Sequence, residues 1–372
     1  MASFSLELLT QNTKMIATRK GDNPRHWARY VADSFDVACL QEAFTNRAVR
    51  QLVDRLDPEP NVHDRNAGTN IASSGLATLV WRRSIAGKRW LRFNRQAGWD
   101  RWAKKGVILT EVALGPGQGA LQIYNTHLNA ARDRRRLDYR EERLVTVRQC
   151  FELAKFVVAT RRPEAPAIVC GDLNLDGEND SRFSVAEILS DGHRRGLPPR
   201  FWDGFDRRQG AIVQQSLTHA VPADYARSGR FGERVSTKTQ YQLLVDLFRV
   251  LGFSDAWGEN NRNKCYTTKL GPRDGEKRAP GIRDFKIRMP ILATPDPTDS
   301  RFAQDSPLAA PAAKRLDYVF SAPGDGTGST TMTVGSMRRT YIPKPGQDPG
   351  LRATELKWLS DHVGLCCRLV FS

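Results

Sequence analysis

Short continuous apolar runs, each closed by polar or turn residues, recur along the chain. They are Asp36-Val-Ala-Cys-Leu-Gln-Glu42, Leu121-Gln-Ile-Tyr-Asn-Thr-His127, Ala167-Ile-Val-Cys-Gly-Asp172, Leu316-Asp-Tyr-Val-Phe320 and Val363–Phe371. Runs of about 4–8 residues bounded this way predict strands buried on both faces. Between them the spacing changes. Leu144, Val147, Cys150, Phe151, Leu153, Ala154 and Val157 recur at helical intervals, predicting a helix over Leu137–Thr160 with an Arg-rich outer face. Shorter helices are expected at Pro24–Ser34 and Asn46–Leu56. Interleaved strands and helices place the chain in the α/β or α+β class. Two stretches interrupt the rhythm, at about 177–239 (Gly, Arg and Asp) and 271–313 (Pro and charge). Strand patterns resume after each, so both read as insertions into a single domain spanning 1–372.

Composition agrees with a folded chain: 40% of residues are hydrophobic and 26% charged, enough to form a core and too apolar for wholesale disorder. No run approaches the ~18 apolar residues that a helical membrane span needs. The 372 residues carry 57 Lys+Arg against 41 Asp+Glu, a formal charge of +16. That excess implies a polyanionic partner: nucleic acid, an anionic membrane surface or a phosphorylated substrate. Six cysteines without a CxxC pair make neither a disulfide scaffold nor a zinc ribbon. Cys39 and Cys170 read as small core residues. Cys366 and Cys367 alternate on the last strand, so one at most is expected to face the core. Met1–Ile16 lacks the basic and long apolar segments of an ordinary secretory signal. The expectation is a reduced, cytoplasmic protein, with non-classical export left open.

The chemistry lies at the strand ends. Glu42, His127, Asp172 with Asn174, Asp317, and Asp361 with His362 close five apolar runs. Strand ends converging on one sheet edge build active sites. Each group alone has an ordinary structural role: a helix start at Gln41-Glu42, a buried histidine, an Asx-type turn at Gly171–Asn174, an edge-strand acid, a cap. Five such roles in fixed order would be a coincidence.

Gln41-Glu42, Thr126-His127-Leu128, Gly171-Asp-Leu-Asn174, Arg315-Leu-Asp317-Tyr318 and Ser360-Asp-His362 resemble the ordered motifs of the endonuclease/exonuclease/phosphatase superfamily, whose fold is deoxyribonuclease-I-like. Asn12 in Thr10-Gln-Asn12 matches the Asn that usually follows the opening strand. The resemblance implies a four-layer α/β/β/α sandwich of two mixed sheets, and divalent-metal hydrolysis of a phosphate ester. By it, Glu42 is the principal Mg²⁺ ligand, assisted by Asn12, with Asp361 as a second metal ligand. Mn²⁺ or another divalent cation would suit the same ligands. Asp172 positions or deprotonates the attacking water and Asn174 holds that water or the phosphate. His362 binds the phosphate in the transition state, oriented by Asp317, and His127 contacts the same phosphate. The residue types fit. Mg²⁺ takes few protein oxygens and keeps several waters. A phosphodiester in reaction needs donors aimed at its equatorial oxygens, and a working histidine needs a fixed tautomer.

One local feature narrows the ester. Ser74-Gly-Leu76, Ala97–Val107 and Asn263-Lys-Cys-Tyr266 look like the corresponding positions of neutral sphingomyelinases. By that resemblance Asp100 lies near the site and Lys105 approaches a phosphate. The window Trp81–Lys105 holds nine bases and one acid, with Trp81, Trp90, Phe93, Trp99 and Trp102 interleaved. Bases and aromatics in alternation suit nucleic-acid strands and anionic bilayers alike. They also suit a twisted hairpin with a solvated basic face. Arg132–Arg136, with Arg140 and Arg143, is partly balanced by Asp133, Asp138, Glu141 and Glu142 and reads mainly as a salt-bridged helix surface. The expectation is a metal-dependent phosphodiesterase of sphingomyelinase or phospholipase C type. A magnesium-dependent DNA or RNA nuclease with the same catalytic set is the alternative, and a catalytically inert binding module stands behind both.

Overall fold

β-branched and leucine-rich runs with no charge inside them become strands, because both of their faces can be covered. The computed structural model describes residues 3–13, 31, 34–44, 46–54, 56–64, 74–97, 100, 103–130, 139–175, 240–257, 317–328, 330–340 and 364–372. In chain order these form β1 (Phe4–Asn12), β2 (Val37–Gln41), α1 (Asn46–Val53), β3 (Asn61–Asp64), β4 (Ala77–Val80), β5 (Ile85–Arg92), β6 (Gly106–Ala113), β7 (Ala120–His127), α2 (Tyr139–Thr160), β8 (Ala167–Asp172), α3 (Gln240–Val250), β9 (Ser254–Asp255), β10 (Asp317–Ala322), β11 (Met332–Thr340) and β12 (Gly364–Phe371). Two six-stranded mixed sheets result, ordered β11-β12-β1-β2-β4-β3 and β5-β6-β7-β8-β10-β9.

Three apolar clusters define four layers. Leu9, Leu40 and Leu79 pack with Val49 and Leu52 of α1 on the outside of the first sheet. Val107, Tyr124, Val169 and Phe320 pack with Val147, Phe151 and Leu247 of α2 and α3 on the outside of the second. Between the sheets lie Leu6, Leu8, Val37, Cys39, Val112, Leu121, Ile123, Ile168, Cys170 and Leu369. The α/β/β/α sandwich expected from the motifs is the architecture found.

The inter-sheet face changes character along the strands, and this places the site. On β1 the series is Leu6, Leu8, Thr10, Asn12; on β2 it is Val37, Cys39, Gln41; on β7 it is Leu121, Ile123, Asn125, His127; on β8 it is Ile168, Cys170, Asp172. Successive alternate residues share a face, so each strand runs from apolar to polar toward one edge of the sandwich. β10 enters at that edge with Asp317 and continues into Val319.

Several expectations meet this frame. The helix expected over Leu137–Thr160 begins in the described chain at Tyr139, and that over Asn46–Leu56 ends at Val53. Of Pro24–Ser34, Val31 is described as helical and buried. The inserted stretches 177–239 and 271–313 lie outside the described residues, as do Asn263–Tyr266 and Arg132–Arg136. The expectation for Cys366 and Cys367 is corrected: both are buried. β12 lies between β11 and β1, so Cys367 meets the inter-sheet core and Cys366 the helix side. Alternation decides which core a residue enters, not whether it is covered. β11 is not visible as a strand in the sequence, because a register shift between Val334 and Ser336 breaks its alternation. Among the described residues no helix is long and apolar enough to cross a membrane.

Candidate active site

Backbone pairing brings three of the expected acids and histidines into one row. β7 and β8 are parallel with His127 opposite Asp172, and β10 is antiparallel to β8 with Asp317 opposite Asp172. All three side chains are buried. Gly171 makes the row possible. Its φ is +136°, and an added Cβ would overlap the Thr126 carbonyl oxygen on β7, so only glycine lets β8 approach β7 this closely.

Asp172 is the hub. Its Oδ2 accepts from Asn12 Nδ2 at 2.9 Å, across the sandwich from β1. Its Oδ1 accepts from the backbone N–H of Asn174 at 2.9 Å. That Asx turn sets Asn174 at φ +52°, in the left-handed region that asparagine tolerates. The Asn174 side chain donates through Nδ2 to the Leu128 carbonyl at 2.9 Å.

His127 sits between two charges. Its Nε2 is 2.8 Å from Lys105 Nζ and 3.4 Å from Asp172 Oδ2. Lys105 also donates to the Leu128 carbonyl at 2.7 Å and pairs with Asp100 Oδ2 at 2.8 Å. An ammonium can only donate. The shorter contact therefore makes Nε2 an acceptor and assigns the ring proton to Nδ1. The 3.4 Å approach to Asp172 is then a meeting of two acceptors, tolerated beside the lysine charge. Asp100 is fixed in turn by the Ala130 N–H at 2.6 Å. Both expected residues of this pair thus reach the site. The Lys105 ammonium is 1% exposed and has its three protons directed at protein acceptors.

Glu42 follows β2 at the same edge. Asn12 pairs with Gln41 in the β1–β2 register, and Thr13 N–H donates to the Gln41 carbonyl at 2.9 Å. Glu42 therefore emerges beside Asn12. It is half-buried at φ +56°, a strained conformation for glutamate of the kind that clusters at functional sites. The turn closes against Gly75 (φ +69°), where an added Cβ would lie 2.8 Å from the Phe44 ring and 3.3 Å from Glu42 Cα. Asp361 and His362 lie outside the described residues.

Two contributors carried no assigned role in the sequence. Gln41 Nε2 donates to Asn125 Oδ1 at 2.8 Å and to Thr10 Oγ1 at 3.1 Å. Asn125 Nδ2 donates to the Ala77 carbonyl at 3.0 Å and the Leu40 carbonyl at 3.2 Å. This buried amide pair ties the ends of β2 and β4 to β7, fixing the edge that carries Glu42 against the edge that carries His127. The available sequence clue is parity: Asn125 shares a strand face with His127, and Gln41 shares one with Cys39.

As metal donors, the Glu42 carboxylate and the Asn12 amide are hard oxygen groups on adjacent strand ends, which suits Mg²⁺. No group of three His, Cys, Asp or Glu placed to hold a metal occurs among the described residues. A cation that keeps most of its waters does not need one.

Residues 9–362 match the endonuclease/exonuclease/phosphatase family. A Drosophila melanogaster protein named as a neutral sphingomyelinase is 36% identical over 194 residues, 49% of this chain and 42% of that protein. The matched part is thus less than half the length of that relative. Beta toxin from Staphylococcus aureus with bound magnesium ions superposes with a TM-score of 0.52 at 14% identity, covering 98% of this chain and 99% of that one. TDP2 from D. rerio complexed with a single-strand DNA product gives a TM-score of 0.51 at 15% identity, covering 98% of each chain.

Proposed function

The chain belongs to the endonuclease/exonuclease/phosphatase family, a family of phosphoric ester hydrolases, and from that premise we propose that it hydrolyses the phosphodiester of a sphingomyelin-type lipid by attack of water. The observation that carries the hydrolytic reading is the cluster Asn12–Asp172–His127, drawn from both sheets into one edge. The lipid substrate is supported by the 36% identity to the Drosophila protein over 194 residues and by the Asp100–Lys105 ion pair, which joins the cluster at His127.

Asp172 is buried, oriented by two N–H donors and aimed at the polar edge, so it is the group that orients the attacking water and takes its proton. Asn174 holds that water or a phosphate oxygen. By the family resemblance His362 would bind the phosphate, oriented by Asp317, and His127 would contact the same phosphate. Glu42 and Asn12 would hold Mg²⁺, with Asp361 as a further ligand. The cation supplies charge stabilisation at the phosphoryl oxygens. A second reading, nuclease activity with the same residues, is favoured by the +16 charge.

The test is a substrate panel. Sphingomyelin vesicles, plasmid DNA and RNA are incubated with the protein in Mg²⁺ and in EDTA. Phosphocholine release without nicking is expected, with activity lost in EDTA and restored by Mg²⁺ or Mn²⁺. Nicking that falls steeply with salt, without phosphocholine, would replace the lipid reading with the nuclease one. Glu42→Gln is expected to raise the Mg²⁺ concentration for half-maximal activity at least about 10-fold. An unchanged Mg²⁺ titration would remove Glu42 from the metal site.

A further inference from the structure

The strand β5 ends its sheet, and the basic residues on and beside it are not all alike. Arg83 is half-buried, with its guanidinium on the Leu114 carbonyl and 4.6 Å from the Phe4 ring centroid, a structural role. Lys105 belongs to the active site. Arg82, Lys88, Arg89 and Arg92 are exposed; none of the four forms an ion pair among the described residues, and Lys88 Nζ donates to the Val62 carbonyl of β3 at 2.6 Å on the exposed rim. The aromatics divide too. Trp81 and Phe93 are 2% and 1% exposed, whereas Trp90 is 44% exposed, the one large hydrophobic side chain that is exposed among the described residues. Trp99 and Trp102 lie outside them.

Register gives the direction. Lys88, Trp90 and Arg92 stand opposite Thr110, Ile108 and Gly106 of β6. Thr110 bonds His63 of the facing sheet at 2.8 Å, and directly opposed residues share a face. Lys88, Trp90 and Arg92 therefore line the inter-sheet side of an edge strand, spaced about 7 Å apart. Their row leads to the site: Phe93 N–H donates to the Lys105 carbonyl at 3.0 Å, and Lys105 touches His127.

We propose that this Lys88–Trp90–Arg92 lip docks the protein on an anionic bilayer and brings the active-site edge to the headgroup plane. The proposal rests on the lipid-phosphodiesterase reading, since a substrate anchored in a bilayer requires the rim of the site to meet that bilayer. Two observations favour a bilayer over a nucleic-acid strand. A sequence-tolerant nucleic-acid track stacks successive bases on successive aromatics, and the described lip exposes a single ring. One tryptophan flanked by cations matches the headgroup level, where an indole is half-wet and Lys and Arg meet anionic lipid.

Flotation with phosphatidylcholine/sphingomyelin vesicles, with and without phosphatidylserine, tests the docking without requiring turnover. Turnover of soluble bis(p-nitrophenyl) phosphate monitors the chemistry in parallel. Wild type should float with the anionic vesicles. Lys88→Gln/Arg92→Gln should bind them about 30-fold more weakly, from about 1 kcal/mol per lost cation, with soluble turnover unchanged. Trp90→Ala should also weaken flotation, including at high salt, where the charges are screened. Wild type that ignores anionic vesicles, variants that float like wild type, or Trp90 fluorescence quenched by oligonucleotide but not by vesicles would each overturn the proposal. Lip-dependent flotation without phosphocholine release supports the docking and defeats the lipid substrate. Phosphocholine release with lip-independent flotation does the reverse.

Discussion

Asp172→Asn is expected to lower turnover by about 10³-fold while leaving the melting transition within a few degrees of wild type. A positioned group that accepts a proton contributes about 10²–10⁴-fold, and Asp172 is a buried carboxylate at the polar edge, bonded by Asn12 of one sheet and by the Asn174 N–H beside the other. Asparagine keeps the volume and an acceptor oxygen for Asn12 Nδ2 or the Asn174 N–H, so packing has little reason to change. What it loses is the capacity to take a proton and the negative charge beside the Lys105–His127 contact. Turnover measured beside thermal unfolding separates these effects. A variant with near-native turnover would show that Asp172 is structural. A variant that loses activity only because it melts early would show the same.

Gly171→Ala is expected to be the most destabilising single-methyl change in the described part of the fold, by about 3–5 kcal/mol from backbone strain plus overpacking. Its φ of +136° is a region for glycine, and the new methyl would meet a backbone carbonyl, which cannot rotate away. β7 and β8 would have to part where His127 faces Asp172. Activity should therefore fall together with the denaturant midpoint, in contrast to Asp172→Asn. A midpoint within about 1 kcal/mol of wild type would mean that the strands separate easily and that their close approach does not hold the site.

The difference between these two variants reflects what the amino-acid sequence reveals. Its apolar runs identify β2, β7, β8, β10 and β12 because each is covered on both faces, and Asp172, His127 and Glu42 stand out because a charge or imidazole closes an otherwise apolar run. β11 is hidden by its bulge. β5 is hidden because an exposed edge strand carries Lys, Arg and Trp where alternation would be sought. The Gln41–Asn125 bond is hidden for another reason: it joins residues 84 positions apart in different sheets, and no local pattern specifies such a contact. Gly171 shows its turn chemistry in the sequence, but its close approach to Thr126 emerges only from the parallel register. Lys105 illustrates a further limit. The resemblance of its segment to neutral sphingomyelinases implies proximity to the site, whereas three acceptors around one ammonium are a property of the packed structure.

The polar gradient also explains why the site lies at one edge. Seven strand positions, Thr10, Asn12, Gln41, Asn125, His127, Asp172 and Asp317, would be costly to bury singly. Grouped, they satisfy much of one another's hydrogen bonding, while the apolar halves of the same strands hold the sheets together.

The most direct measurement is hydrolysis in H₂¹⁸O, followed by mass spectrometry of both products. Attack of water on phosphorus breaks the bond from phosphorus to the leaving oxygen and forms one from phosphorus to the water oxygen. With sphingomyelin as substrate, one ¹⁸O should appear in phosphocholine and none in ceramide, and Asp172→Asn should reduce the labelled product about 10³-fold. Label in the ceramide hydroxyl, or equal labelling by wild type and Asp172→Asn, would contradict the account.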